Sequence, residues 1–228
     1  MPWTLYKTER GLTMPAPSNA EKKSLGKRAE AYHHQLFEPK GSDLLDYLID
    51  ERGLEPETLS QFQLGAVVNP EGGDEPALGK VSIPYITRSG AVALRFRRGP
   101  NGDGPKYWQP PGSNITIFNT FELVKHQRWI VVCEGEIDCI TAVQAGIPAV
   151  GIPGANAWKD HYSALFEGYE RVIILADNDD KGAGKEFAAK VANEVPDPKI
   201  ITLPEGEDVN SFYVKHGAQE LRALLKLK

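Results

Sequence analysis

The second half of the chain repeats one pattern four times: a short apolar run ends in a polar turn, and a helical pattern follows it. The apolar runs occupy residues 129–133, 149–152, 172–176 and 200–203, and the helical patterns occupy residues 138–145, 159–166, 183–195 and 211–227. Such alternation with short connections is typical of a parallel sheet covered by helices on both faces. We therefore predict an α/β domain with a parallel central sheet and a C-terminal helix.

Carboxylates follow three of the four predicted strands. Glu134 follows the first strand, Asp177 and Asp179 follow the third, and Asp208 lies in the turn after the fourth. The carboxyl ends of parallel strands line one edge of an open α/β sheet, and ligands bind at that edge. Carboxylates that meet there repel one another unless a cation compensates their charge. The pattern predicts a divalent metal site.

Each acidic turn also has a simpler interpretation. Glu134 and Asp138 flank the start of a helix, where acids commonly complement the helix dipole. The turn at residues 177–180 could be a solvated loop, and Asp208 or Asn210 could serve only as an N-cap. The metal hypothesis depends on these acids lying together in the fold.

The first half of the chain has a different character. A helical spacing of apolar residues covers residues 29–48, and Pro56 begins a further short helix. Two strand-like runs at residues 81–86 and 91–96 are joined by four turn-forming residues, which predicts a β-hairpin. Three segments result: a flexible polar tail at residues 1–28, an α+β subdomain at residues 29–127 and the α/β domain at residues 128–228.

Charge is distributed unevenly along the chain, although its net value is only −5. Residues 80–106 contain six basic side chains and one acidic side chain. The candidate nucleic-acid-binding residues of this segment are Arg95, Arg97, Arg98, Lys106, Tyr107 and Trp108. Cations bind phosphates and aromatic rings stack on bases, so this combination is typical of a track for single-stranded nucleic acid. The alternative is a solvated strand face whose aromatic rings pack into the core.

The order of these motifs resembles a known family. The acidic motifs are Glu134-Gly135-x-x-Asp138, Asp177-x-Asp179 and Gly206-Glu207-Asp208. They are similar to the Toprim pattern of topoisomerases, bacterial primases and related nucleases. The upstream motifs are Arg52-Gly53-Leu54, Arg98 and Pro105-Lys106-Tyr107, which resemble the polymerase core of bacterial-type DNA primases. The chain as a whole resembles the catalytic core of bacterial and phage-type DNA primases. This resemblance covers most of its length.

The resemblance implies an enzyme that copies a single-stranded DNA template into short RNA primers from ribonucleoside triphosphates. It implies Mg²⁺ or Mn²⁺ as cofactor, with a metal site formed by Glu134, Asp138, Asp177, Asp179 and Asp208. Lys106 joins Glu134, Asp177 and Asp179 as a catalytic residue, and Arg98 and Lys106 hold the nucleotide. A replicative helicase is a candidate partner. The chain departs from the family at Asn210, where a second acid is common.

The sequence leaves two alternative functions open. A Toprim-type nuclease would use the same acids to hydrolyse a phosphodiester. A non-catalytic nucleic-acid-binding module would keep the Toprim fold without performing either reaction. Synthesis of RNA, shortening of DNA, or binding alone distinguishes these possibilities.

The sequence also carries a prediction of location. No apolar run reaches the roughly 18 residues that a membrane-spanning helix needs. The first eleven residues lack the apolar stretch of a secretory signal. We therefore predict a cytoplasmic protein without a membrane partner.

Overall fold

The computed structural model describes residues 16–125, 127–154, 157–178 and 182–226. Its α-helices are α1 (Asn19–Leu36), α2 (Ser42–Asp46), α3 (Pro56–Gln61), α4 (Glu136–Gln144), α5 (Ala183–Ala192) and α6 (Val209–Leu224). Its strands are β1 (Gly65–Ala66), β2 (Lys80–Thr87), β3 (Gly90–Arg98), β4 (Tyr107–Trp108), β5 (Trp129–Glu134), β6 (Ala149–Ile152), β7 (Arg171–Ala176) and β8 (Pro198–Thr202). None of the helices in these ranges is both long and apolar enough to cross a bilayer.

The first sheet is antiparallel, with strand order β1-β2-β3-β4. The predicted hairpin is confirmed, since β2 and β3 pair along their length and close at Thr87 and Gly90. Helix α1 packs on this sheet, and its buried Tyr32 meets Phe96 of β3 edge to face, with ring centroids 6.0 Å apart. The N-terminal part of the chain therefore has the predicted α+β architecture.

The second sheet is parallel, with strand order β6-β5-β7-β8. Along β5, Val131 and Cys133 enter one core, whereas Ile130 and Val132 enter another core that includes Phe187 of α5. This alternation means that both faces of the sheet are covered, because successive side chains of a strand point to opposite faces. The predicted α/β architecture with a C-terminal helix is confirmed.

The two sheets share a hydrophobic core. Phe118, in the connection between them, stacks on Phe62 with ring centroids 5.7 Å apart and meets Tyr85 of β2 edge to face at 5.2 Å. Its backbone also forms an antiparallel bridge with Gly151 of β6. Burying these three aromatic rings packs β2 of the first sheet against the connection that leads to the parallel sheet.

The predicted flexible tail is wrong for residues 19–28. These residues form the first half of α1, whose start is fixed by a capping box between Ser18 and Glu21. Charged residues interrupt the hydrophobic periodicity of this segment, but Leu25 and Ala29 still pack in the core between α1 and the first sheet. The remaining tail residues up to 15 lie outside the described part of the chain.

The predicted helix at residues 159–166 is also wrong in type. The segment Asp160–Leu165 is a 3₁₀-helix. Its aromatic side chain Tyr162 is buried against Trp158, so packing rather than a long amphipathic period determines its shape. The proposed division at residues 127 and 128 falls between the two sheets and stays a prediction.

Candidate active site

A cavity of about 200 Å³ lies between the first sheet and the carboxyl ends of the parallel strands. Its acidic lining residues are Glu134, Glu136, Asp138, Asp177 and Asp208. Its basic lining residues are Arg52, Arg95, Arg97 and Lys106, and Tyr107 lies among them. The predicted meeting of distant acids at one edge of the sheet is therefore seen for Glu134, Asp138, Asp177 and Asp208.

Two glycines shape the turns that carry these acids. Gly135 has φ of +118°, a conformation that side chains rarely adopt, and it turns the chain from β5 directly into α4. Gly184 lets α5 approach the turn after β7, since an added Cβ would lie 2.3 Å from the backbone oxygen of Asp177. Both turns are thus held close to the sheet edge.

Among the predicted metal ligands that the structure describes, Asp138 is the most enclosed, with 8% of its surface exposed. Its Oδ1 accepts a hydrogen bond from the backbone N–H of Asn210 at 3.0 Å. Burial raises the pKa of Asp138 to about 7, and the neighbouring carboxylate of Asp208 acts in the same direction. The bond from Asn210 and the positive charges of Arg97 and Lys106 oppose this rise in pKa.

Asp208 is both a helix cap and a residue of the cavity lining. It caps α6, because its Oδ1 accepts the backbone N–H of Ser211 at 2.6 Å. It also lines the cavity. Asn210 is not the cap: it lies inside the helix and is 1% exposed.

The basic wall of the cavity is held by aromatic side chains. Arg97 donates from Nη1 to the hydroxyl of Tyr107 at 2.8 Å and from Nε to the hydroxyl of Tyr47 at 3.2 Å. The guanidinium of Arg95 lies 3.9 Å from the centroid of the Tyr107 ring. Burial raises the pKa of Tyr107 to about 12, so its hydroxyl stays protonated at neutral pH.

Two predicted site residues, Arg98 and Trp108, stand apart from this group, and the position of a third is not described. Arg98 does not line the cavity; its Nη1 donates to the backbone oxygen of Gly104 at 2.6 Å. Trp108 packs on Phe96 with ring centroids 5.5 Å apart. This agrees with the alternative interpretation, in which the aromatic rings of this segment pack into the core. Asp179 lies outside the described residues. Their roles stay predictions.

Glu136 is a cavity residue to which the sequence analysis assigned no role. It is 1% exposed, and its Oε1 accepts from Arg95 Nη1 at 2.6 Å and from the hydroxyl of Tyr85 at 2.5 Å. Arg95, predicted to bind nucleic acid, therefore already has a buried partner. In the sequence, an acid in the first turn of a helix does not indicate that its partners are residues as distant as Arg95 and Tyr85.

The donor chemistry of the cavity fits a hard divalent cation. Four of its carboxylates come from the predicted metal set, and Mg²⁺ prefers oxygen ligands of this kind. Within the described ranges, no three acidic, His or Cys side chains are close enough to form a ready-made metal site. Glu134 and Asp177 are the candidates to hold the ion, with Asp138 and Asp208 beside them.

The chain is similar to known proteins in both sequence and structure. Residues 131–213 match a family described as Toprim-like. The gene 57 protein of Mycobacterium phage D29 is 45% identical over 148 residues, which cover 63% of this chain and 95% of that protein. The DNA primase of Listeria innocua is 27% identical over 241 residues, covering 87% and 38%. A DnaG primase catalytic domain bound to ssDNA superposes with a TM-score of 0.71 at 22% identity, covering 91% and 80%.

The parallel sheet and its acidic carboxyl edge define a Toprim-type α/β protein. The chain belongs to the same family as the gene 57 protein of Mycobacterium phage D29, and it is similar in sequence to bacterial DNA primases and in fold to their catalytic cores. It spans about two fifths of the length of the bacterial DNA primases that it matches, as the 38% coverage of the Listeria innocua protein shows.

Proposed function

We propose that this chain synthesises short RNA primers on single-stranded DNA by metal-dependent nucleotidyl transfer. The observation that carries the proposal is the division of one cavity into an acidic side, from the carboxyl edge of the parallel sheet, and a basic side. A nucleoside triphosphate needs both sides. Basic side chains attract its phosphates directly, whereas carboxylates repel them and can bind them only through a metal ion that the carboxylates hold.

On the acidic side, Glu134 and Asp177 would hold Mg²⁺ or Mn²⁺, and Asp179 is a further candidate ligand. A bound divalent ion neutralises phosphate charge and activates an attacking hydroxyl group. Asp138 and Asp208 would adjust the charge of this side and orient its ligands. On the basic side, Lys106 would bind the triphosphate.

The DNA template would follow the basic segment outside the cavity. Arg98 is exposed, and its backbone N–H donates to the backbone oxygen of Lys106 at 2.9 Å, so it lies beside the proposed nucleotide site. The solved primase domain bound to ssDNA shares this fold and supports a template of that kind. A replicative helicase as partner and a cytoplasmic location stay predictions.

Incubation of labelled single-stranded DNA with ribonucleotides and either Mn²⁺ or Mg²⁺ tests the proposal. New RNA chains on several templates would support a primase. Shortened DNA without RNA would support the nuclease alternative. Binding of DNA with neither reaction under either metal would leave the non-catalytic module as the function.

Lys106→Ala is expected to raise the KM for ribonucleotide about tenfold, because a charge-assisted hydrogen bond to phosphate is lost. The affinity for Mn²⁺ should change less than twofold, since Lys106 contributes no ligand. Steady-state synthesis and isothermal titration calorimetry measure the two quantities. Lys27→Ala removes an exposed lysine of α1 as the control. Unchanged synthesis by Lys106→Ala at limiting nucleotide would remove Lys106 from the site.

A further inference from the structure

Asn210 is a buried amide at the start of α6 and connects residues on two sides of the cavity. Asn210 is 1% exposed, and it is not one of the residues that line the cavity. Its backbone N–H donates to Oδ1 of the cavity acid Asp138 at 3.0 Å. The position of the Asn210 backbone therefore sets the position of this carboxylate.

The side chain of Asn210 is directed to other partners. Its Nδ2 donates to the backbone oxygen of Arg52 at 2.8 Å and to Oγ1 of Thr141 at 2.9 Å, and its Oδ1 accepts from Arg52 Nη1 at 3.2 Å. A backbone oxygen only accepts and a guanidinium only donates, so these contacts fix which end of the amide carries the hydrogens. Both amide hydrogens are in use.

An aspartate could not make the same contacts. The hydroxyl of Thr141 already donates to the backbone oxygen of Ile137 at 2.8 Å. A carboxylate at position 210 would face this hydroxyl oxygen and the backbone oxygen of Arg52 without a hydrogen to offer either. It would also place a second negative charge next to Asp138.

Arg52, the other partner of Asn210, lines the cavity. Its Nε donates to the hydroxyl of Tyr47 at 2.9 Å, and its guanidinium carbon lies 5.1 Å from the centroid of the Tyr47 ring. Asn210 and Tyr47 therefore hold the guanidinium from two directions. Through its backbone and its side chain, Asn210 links an acid and a cation of the same cavity.

We propose that Asn210 is a positioning residue that fixes Asp138 and Arg52 relative to each other, and that it is not a metal ligand. The inference deepens the proposed function and rests on it where metal binding is concerned. Its structural content is independent of metal binding, because the three side-chain contacts are hydrogen bonds within the protein, to Arg52 and Thr141.

Mn²⁺ binding to the full chain tests the proposal when it is measured by electron paramagnetic resonance well below the melting temperature of each variant. Asn210→Ala and Asn210→Asp are both expected to bind Mn²⁺ about tenfold more weakly, the typical loss when a partner of a metal ligand is changed. Gln219→Glu makes the same amide-to-acid change at an exposed position of α6 and should bind as the wild type does. Tighter binding by Asn210→Asp would identify position 210 as a ligand and overturn the proposal. Unchanged affinity in both variants would show a purely structural role and also overturn it.

Amide hydrogen exchange at residues 52–54 provides a test that does not require metal. Asn210→Ala should raise exchange there about tenfold, because the backbone oxygen of Arg52 loses its anchor. Gln219→Glu should leave this exchange unchanged. If the wild type binds no Mn²⁺, the proposed metal-dependent function fails, and exchange alone decides the inference. Unchanged protection in Asn210→Ala would then reject it.

Discussion

Asp177→Asn is expected to reduce primer synthesis at least about a thousandfold while the protein stays folded. Asp177 follows β7 and lines the acidic side of the cavity. The amide has nearly the same shape as the carboxylate but lacks its negative charge, so it holds a divalent cation much more weakly. A metal ion contributes several kcal/mol to the transition state, and each 1.4 kcal/mol is about tenfold in rate. Incorporation of labelled ribonucleotide into RNA measures the loss.

Asp160→Asn is the matched control, because it makes the same substitution at an exposed position of the 3₁₀-helix Asp160–Leu165. It should retain the synthesis rate of the wild type. Circular dichroism of both variants shows whether the fold is kept. If Asp177→Asn synthesises RNA at the wild-type rate with the same dependence on Mn²⁺, Asp177 has no part in metal binding.

The parallel sheet was predictable because three of its strands, β5, β6 and β7, are buried on both faces. Buried strands of this kind are uninterrupted apolar runs, and the predicted run at residues 149–152 coincides with β6. The edge at which the acids meet then follows from topology alone. The first half of α1 was not predictable in the same way, since its polar residues form a helix stabilised by the cap at Ser18 and by packing at a few positions.

The polar contacts of the site were much less predictable than its acids. Arg95 pairs with Glu136 across 41 positions of sequence, and Arg52 contacts Asn210 across 158. Local pattern indicates that an acid follows a strand, but it does not indicate which distant cation will be placed beside it. Charge alone suggested that Arg95 faces nucleic acid, whereas its guanidinium is committed to Glu136 and to the face of Tyr107.

Arg95→Met is expected to lower the free energy of unfolding by about 3–5 kcal/mol, the usual cost of removing one partner of a buried ion pair. Only 13% of the Arg95 side chain and 1% of the Glu136 side chain are exposed, and Nη1 lies 2.6 Å from Oε1. Without Arg95, the hydroxyl of Tyr85 is left to face a carboxylate with no buried countercharge. For a chain of this size the melting temperature should fall by roughly 10 °C, as calorimetry can measure.

Adding Glu136→Met to Arg95→Met should recover most of the lost stability, because the double variant no longer buries an unpaired charge. Arg128→Met is the control: it breaks an ion pair with Glu170 whose side chains are 82% and 61% exposed. Solvent screens such a pair, so the melting temperature of this variant should change little. If Arg95→Met melts as Arg128→Met does, Arg95 and Glu136 do not hold the two sheets together. In that case the preformed shape of the cavity needs another origin, such as the aromatic contacts of Phe118 with Phe62 and Tyr85.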